Sequence, residues 1–294
     1  MDKQEQVPAT EGDRVQEEQG NTVVEKVEHG FLEQGVRTIA LFGGQSNPYL
    51  KEIQYLFENG ADETSRFIKA STDMLDEEAS KHEYYAKHGF GLSVTGWFSA
   101  GKSILSKGEP SQAYLYSSPV SFPLIFVSQI ATYIESLKRL GTTHEAVLAS
   151  GWLAGATGHS QGIVSGVVLS MSADDASLVE NAIAFAKYML YQGLRSQETL
   201  NFTLDEKMSK SPMLSVEGLQ RDQLAKLIEK TKRSLRMVLQ MQQQVGGDDL
   251  DVEKIIAMDI SLRNGPSLFC VSGHPKALNA LKETIEKISA AEGD

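Results

Sequence analysis

The sequence is poor in basic residues: among 294 residues, Lys and Arg number 28 against 39 Asp and Glu, a formal net charge of −11. Polyanion binding draws its affinity from clustered Lys and Arg, and the longest basic stretch, residues 230–236, is too small to supply it. A general nucleic-acid binder is excluded. Cysteine is nearly absent. The single Cys270 cannot form an intrachain disulfide, and the start Met1-Asp2-Lys3-Gln4-Glu5 has no apolar core of a secretory signal, so a reducing, cytoplasmic compartment is expected. Long hydrophobic runs are missing as well. A membrane span needs about 20 apolar residues, and the greasiest segment, residues 120–127, is short and interrupted by Ser121 and Pro123, so no membrane is expected as a partner. The histidines show no ligand spacing and one cysteine is too few for structural zinc, so no metal is expected.

What is present is an ordinary globular composition, 41% hydrophobic and 23% charged, long enough to bury a core and a second small domain. Residues 1–35 are polar, acidic and Gln-rich and read as a disordered arm. Gly246-Gly247-Asp248-Asp249 lacks the alternating oxygen ligands of a calcium loop and reads as a solvated linker. The fold is expected to begin with a buried strand over residues 36–42, cut off by Gly43-Gly44. A helical pattern follows over residues 48–87, with Pro48 in its first turn and Ile53, Leu56 and Phe57 on one face. Pro123 is expected to open a helix that Gly141 closes, and residues 153–158 form a small-residue strand. Helices are expected over residues 163–171 and 176–195.

From Met213 the rhythm changes. A strand over residues 213–216 is followed by a helix carrying Leu224, Leu227, Ile228, Leu235, Val238 and Leu239. Strands over residues 255–262 and 267–271 then flank a turn at Asn264-Gly265, and a last helix carries Leu278, Leu281, Ile285 and Ile288. The order β-α-β-β-α is that of a ferredoxin-like unit without its final strand, so the chain is expected to stop early. The domain reading is an α/β core over residues 36–205 and an incomplete small subdomain over residues 206–294.

Gly158-His159-Ser160-Gln161-Gly162 fits the pattern Gly-x-Ser-x-Gly between a strand and a helix, the context of a nucleophile elbow. The need for glycine is steric. A strand turning directly into a helix forces the serine into a strained backbone conformation, and glycines two before and two after it remove colliding Cβ atoms. Ser160 Oγ would stand at a helix N-terminus beside the Gln161 N–H, and the turn at Gly43-Gly44-Gln45 offers another N–H. The bland alternative is a chance match in a glycine-bearing loop, with Gln45 an ordinary polar loop residue.

Phe42-Gly43-Gly44-Gln45, residues 119–125, residues 155–162, and Ser261 to Gly265 with Val271-Ser272-Gly273-His274-Pro275 together resemble the acetyl (starter acyl) transferase domain of the fungal-type fatty acid synthase β subunit. The resemblance spans about residues 36 to 290. It implies an acyltransferase fold with an α/β-hydrolase-like core and an inserted ferredoxin-like subdomain, here truncated at its C-terminal side. It implies an acyl group passing from coenzyme A to Ser160 and on to the phosphopantetheine thiol of an acyl carrier protein, with no bound cofactor and other synthase domains as neighbours. Gln161 and Gln45 take the places of the oxyanion-hole residues. Relatives that move malonyl groups carry an arginine in the long helix after the serine, because a bidentate guanidinium suits a carboxylate. Gln192 aligns there, within Tyr191-Gln192-Gly193, which favours acetyl or another uncharged acyl group; Arg195 lies one turn on, and a helix-end or ion-pair role suits it at least as well as binding a carboxylate.

The resemblance also implies a histidine base beyond the ferredoxin-like unit, and no residue of this sequence matches it. His274, beside Pro275 at a strand-to-helix turn, suits the start of a helix. His159 is placed beneath the serine, packing or touching substrate, while His29, His82, His88 and His144 have no partner pattern. Two other readings stand beside acyl transfer. One is an α/β-hydrolase esterase using Ser160, an Asp such as Asp259, and His274. The other is a catalytically incomplete fragment or a binding or assembly module. The helix end with Met237, Met241 and Gln240 to Gln244 could contact a partner, and a frayed amphipathic helix explains it as well.

Overall fold

The computed structural model describes residues 37–45, 49–88, 90–99, 110–200, 212–245 and 251–292. The acidic arm, Pro48 and the Gly246 to Asp249 linker lie outside the described residues. In chain order the elements are β1 (Thr38–Phe42), α1 (Leu50–Asn59), α2 (Asp62–Ala79), α3 (Glu83–His88), α4 (Val94–Ser99), α5 (Gln112–Tyr116), α6 (Ser118–Arg139) and α7 (His144–Ala149). There follow β2 (Leu153–Gly158), α8 (Gly162–Met171), α9 (Asp175–Leu200), β3 (Met213–Glu217), α10 (Arg221–Gln244), α11 (Val252–Ile256), β4 (Met258–Arg263), β5 (Leu268–Gly273) and α12 (Pro275–Glu292). The chain is a mixed α/β protein that divides into two units, residues 1–68 with 128–182, and residues 69–127 with 183–294.

In the first unit β1 and β2 pair in parallel, with Ile39 opposite Gly155, Leu41 opposite Thr157 and Phe42 opposite Gly158. A parallel pair needs a crossover, and the helices between the strands provide it. Helix α8 packs back on both strands. Gly166 allows the close approach, since a Cβ there would lie 3.4 Å from Thr157 N. Ile53, Leu56, Phe67, Ile130, Ile134, Leu169 and Leu178 are buried in this unit. Glu135, also buried, caps the start of α2, accepting from Ala61 N and Thr64 Oγ1 at 2.8 Å each while Arg139 Nε donates to its other oxygen at 2.8 Å. Burial pushes that carboxyl up, but these donors outweigh it and hold it below its ordinary range.

The second unit contains the β-α-β-β-α run. Its antiparallel sheet has three strands in the order β3-β5-β4. Val216, Leu224, Ile228, Met258, Phe269, Val271, Leu278 and Leu281 form its core, so the three-and-four spacing of α10 and α12 meets the alternating inner face of the sheet. Cys270 lies buried in β5, and burial pushes its thiol up.

Three expectations about boundaries are corrected. The helix expected to open at Pro123 opens at Ser118, and Pro123 sits inside α6. A proline there removes the donor for the carbonyl four residues earlier, that of Pro119. The buried Tyr85 hydroxyl donates to that carbonyl instead, at 2.8 Å. The strand expected from residue 255 is divided: Asp251 accepts from Lys254 N at 3.2 Å and starts the short helix α11, so β4 begins only at Met258. The Asn264-Gly265 turn is a four-residue loop between Arg263 and Leu268, in which both N–H groups donate to the Leu268 carbonyl. Helix α6 also extends the short apolar run of residues 120–127. Among the described residues it alone is long and apolar enough to cross a membrane by length and composition, yet 72% of its apolar window is buried inside the structure.

Candidate active site

The glycines at both ends of the Gly-x-Ser-x-Gly pattern are forced. A Cβ on Gly158 would lie 2.0 Å from the Gly162 carbonyl carbon, and one on Gly162 would lie 2.4 Å from the carbonyl oxygens of both Phe42 and Gly43. Real Cβ atoms do not approach backbone so closely, so β1, β2 and α8 converge at this turn only because both side chains are missing. Between the glycines Ser160 holds a φ of 54°, the one positive φ of a non-glycine residue among the described residues. Serine pays for that left-handed conformation in strain. Its side chain is exposed, and helix α8 begins two residues on. The steric argument made from the sequence is thus met at the elbow.

Backbone donors surround the serine. Gln161 begins the helical turn with φ −61° and ψ −22°, and the carbonyls of His159, Ser160 and Gln161 accept from Gly162, Ile163 and Val164. The His159 N–H donates to the Phe42 carbonyl at 2.9 Å, tying the elbow to the end of β1. From there the chain passes through Gly43 and Gly44 to Gln45. A Cβ on Gly44 would lie 3.0 Å from His159 Nδ1 and 3.1 Å from Ser160 Cβ, so the backbone just before Gln45 lies against the elbow. Among the described residues, nothing accepts from the N–H of Gln161 or of Gln45. The Gln161 side-chain amide is buried, and among the described residues neither its oxygen nor its nitrogen has a hydrogen-bond partner.

One residue of this site was not read from the sequence. Gln129 of α6 donates from Nε2 to the Gly43 carbonyl at 2.7 Å and accepts at Oε1 from Ser165 Oγ of α8 at 2.6 Å. Its signal in the sequence was a single long polar amide inside an otherwise apolar run.

Gln192 belongs to the second unit. It is exposed on α9, and its carbonyl accepts from Ser196 Oγ at 2.8 Å. Next to it, the Tyr191 hydroxyl donates to Glu78, whose side chain is 8% exposed and also accepts from Lys81 at 2.8 Å and Lys187 at 2.9 Å. Lys81, then Tyr191 and Lys187, hold the Glu78 carboxyl down at about 2. Arg195 pairs with Glu198 on the surface at 3.0 Å. Gly193 lets α9 and α6 touch, since a Cβ there would meet the Ser118 carbonyl oxygen at 2.3 Å.

The other histidines have structural settings. His274 Nδ1 accepts from Lys276 N at 3.1 Å at the start of α12, and burial, then Lys276, lowers its pKa. His144 is fully buried between Tyr133 Oη at 2.8 Å and the carbonyls of Leu169 and Ser172. His82 meets Tyr191 edge to face. Among the described residues no group of three or more His, Cys, Asp or Glu is placed to hold a metal ion.

Together the strand, the strained serine and the helix behind it form a tight strand–turn–helix junction in a mixed α/β protein. The family model described as the starter unit:ACP transacylase in aflatoxin biosynthesis matches residues 40–292, and the chain belongs to that family. It is 32% identical over 275 residues to the fatty acid synthase subunit beta of Schizosaccharomyces pombe, and 29% identical over 276 residues to that of Saccharomyces cerevisiae. Those alignments cover 88% and 89% of this chain and 12% of each relative. Among solved structures it is similar to the malonyl CoA-acyl carrier protein transacylase of Coxiella burnetii, with a TM-score of 0.49 and 13% identity over 86% of this chain and 58% of that one.

Proposed function

We propose that this chain is an acyltransferase domain that moves an acetyl or other uncharged acyl group from coenzyme A to an acyl carrier protein through an ester on Ser160. The observation that carries the reading is Ser160 itself, an exposed hydroxyl at φ 54° between two glycines that backbone crowding requires. Family membership supports the reaction class. In the first step the Ser160 Oγ–carbon bond forms, the thioester carbon–sulfur bond breaks, and the hydroxyl proton ends on coenzyme A as its thiol; the transfer needs a base to carry that proton, and no residue of this sequence is assigned to the role. In the second the phosphopantetheine thiol takes the acyl group and the proton returns to Ser160 Oγ. The oxygen that becomes negative between these states is held by the N–H groups of Gln161 and Gln45, each such donor being worth about two to three decades in rate.

Gln192 in place of an arginine supports an uncharged substrate, because a neutral amide does not offset a malonyl carboxylate. His159, whose ring lies against Gly44, lines the acyl side of the serine in this reading. The proposed division of labour puts the chemistry in residues 36–205, an α/β-hydrolase-like core, and an inserted ferredoxin-like subdomain in residues 206–294. The relatives' names support a setting in fatty acid synthesis, with the other domains or subunits of a fatty acid synthase as neighbours. A cytoplasmic location is our reading from the single cysteine. The esterase reading is disfavoured by His274, whose Nδ1 is taken up at the start of α12.

The test is intact-mass analysis after incubation with acetyl-CoA or malonyl-CoA. Acetyl should appear on Ser160, be absent in Ser160→Ala, and compete out malonyl when both donors are present. Acyl groups mapping elsewhere, or preferential malonylation, would reject the assignment or its specificity respectively.

A further inference from the structure

The second oxyanion donor assigned above sits on a loop of weak intrinsic preference. Gly43 and Gly44 lack Cβ atoms, so the peptide between them can turn over at little steric cost, carrying the amides that follow to another direction. A trans peptide points its carbonyl and its N–H to opposite sides, so whatever fixes the Gly43 oxygen also fixes the Gly44 N–H and the plane from which the chain enters Gln45. One hydrogen bond holds that oxygen, and one glycine packs beside it. Gly162 faces it at the start of α8, where a Cβ would lie 2.4 Å away. The Gln129 amide donates to it at 2.7 Å.

The amide of Gln129 is itself oriented. Its Oε1 accepts from Ser165 Oγ at 2.6 Å, and Ser165 is fully buried on α8. A carbonyl can only accept, so Nε2 must face Gly43 and Oε1 must face Ser165. The chain Gly43–Gln129–Ser165 therefore ties the loop after β1 to the helix that follows the serine, through a residue of α6 that lies on neither. All three residues belong to the first unit.

We propose that Gln129 is a positioning residue of the transfer reaction: it anchors the Gly43–Gly44 peptide, and with it the stretch of backbone that presents the Gln45 N–H to the oxyanion, and Ser165 keeps its amide turned the right way. The inference rests on Ser160 being the nucleophile. Gln129 touches neither the serine nor the acyl group in this arrangement; it acts through the loop.

The experiment is single-turnover acylation of the full chain by acetyl-CoA, followed by intact mass across donor concentrations, with thermal unfolding in parallel. Gln129→Met keeps length and volume but cannot donate. It should lower the maximal acylation rate about 10- to 100-fold, while the half-saturating donor concentration stays within about twofold. Ser165→Ala loses one buried hydrogen bond yet leaves the donor to Gly43, so its melting point should fall comparably while its maximal rate falls much less. Should Gln129→Met not fold, Gln129→Glu tests the same contact, since it still accepts from Ser165 but sets a carboxylate against the Gly43 carbonyl. A wild-type maximal rate in the Gln129 variants, a defect confined to half-saturation, or equal rate losses in Ser165→Ala and Gln129→Met would each overturn the proposal. Failure of the unaltered chain to acquire acyl on Ser160 would instead remove the nucleophile reading, and this inference with it.

Discussion

A methyl group at position 162 would have to share space with the carbonyl oxygens of Phe42 and Gly43, each 2.4 Å from where its carbon would stand. The Phe42 oxygen ends a paired strand and the Gly43 oxygen is held by the Gln129 amide, so neither yields as the end of a flexible side chain would. Gly162→Ala is therefore expected to cost about 1–3 kcal/mol in urea denaturation, the range of overpacking, and to lower Ser160 acylation as the loop is pushed off the elbow. Gly155→Ala, on the neighbouring strand with nothing within 4 Å, should stay close to wild type in both measurements. At this scale the sequence was informative, because a strained turn selects particular residue types at fixed spacing. Gly158, Ser160 and Gly162 could be placed before any coordinates. Gln129 could not: its role depends on which way one amide faces in three dimensions, and nothing in the one-dimensional pattern relates residue 129 to residues 43 and 165.

Among the elements, α6 shows most directly how an unfavourable residue is accommodated. Pro123 deprives the Pro119 carbonyl of its helical donor, and the Tyr85 hydroxyl, in a ring 3% exposed, takes its place. Burial, then the neighbouring Tyr114 and Tyr84, raises the Tyr85 pKa, which keeps this hydroxyl a donor across the ordinary pH range. Tyr85→Phe should lose about 1–3 kcal/mol by leaving a buried carbonyl unsatisfied. Pro123→Ala restores the amide, so in the double variant part of that loss should return, and a double-mutant cycle by chemical denaturation measures the coupling. Reading Pro123 as a helix start followed its usual first-turn preference; the substitute donor lies on α3, 34 residues earlier in sequence separation from its acceptor. The α11–β4 boundary was missed for a related reason, since the apolar residues Ile255 and Ile256 fit either a strand or the single turn that Asp251 caps. The periodic helices α10 and α12 and the strand β5 were legible because burial on one face imposes a period.

On the scale of the whole molecule, acid resistance is the property most open to test. The Glu78 carboxyl is held at about 2 in the folded protein, against an unperturbed 4.5, by Lys81, Tyr191 and Lys187. A lowered carboxylate stabilises the fold above its unfolded pKa, and that contribution disappears as pH falls from about 4.5 toward 2. Glu78→Gln should accordingly narrow its stability difference from wild type over that window, read from unfolding at successive pH values. A constant difference across the window would refute the linkage. Net charge of −11 was plain from composition, but which carboxylate is held by two lysines and a tyrosine depends on the packing of α2 against α9 within one unit.

The backbone angle at Ser160 has an evolutionary corollary. Only an achiral residue is at ease with φ 54°, so the hydroxyl is kept there against a thermodynamic slope. If Ser160 carries the acyl group as proposed, a duplicate gene released from that transfer would gain robustness by drifting to glycine at this codon, which makes the identity of residue 160 in any paralogue a record of whether its chemistry is still under selection.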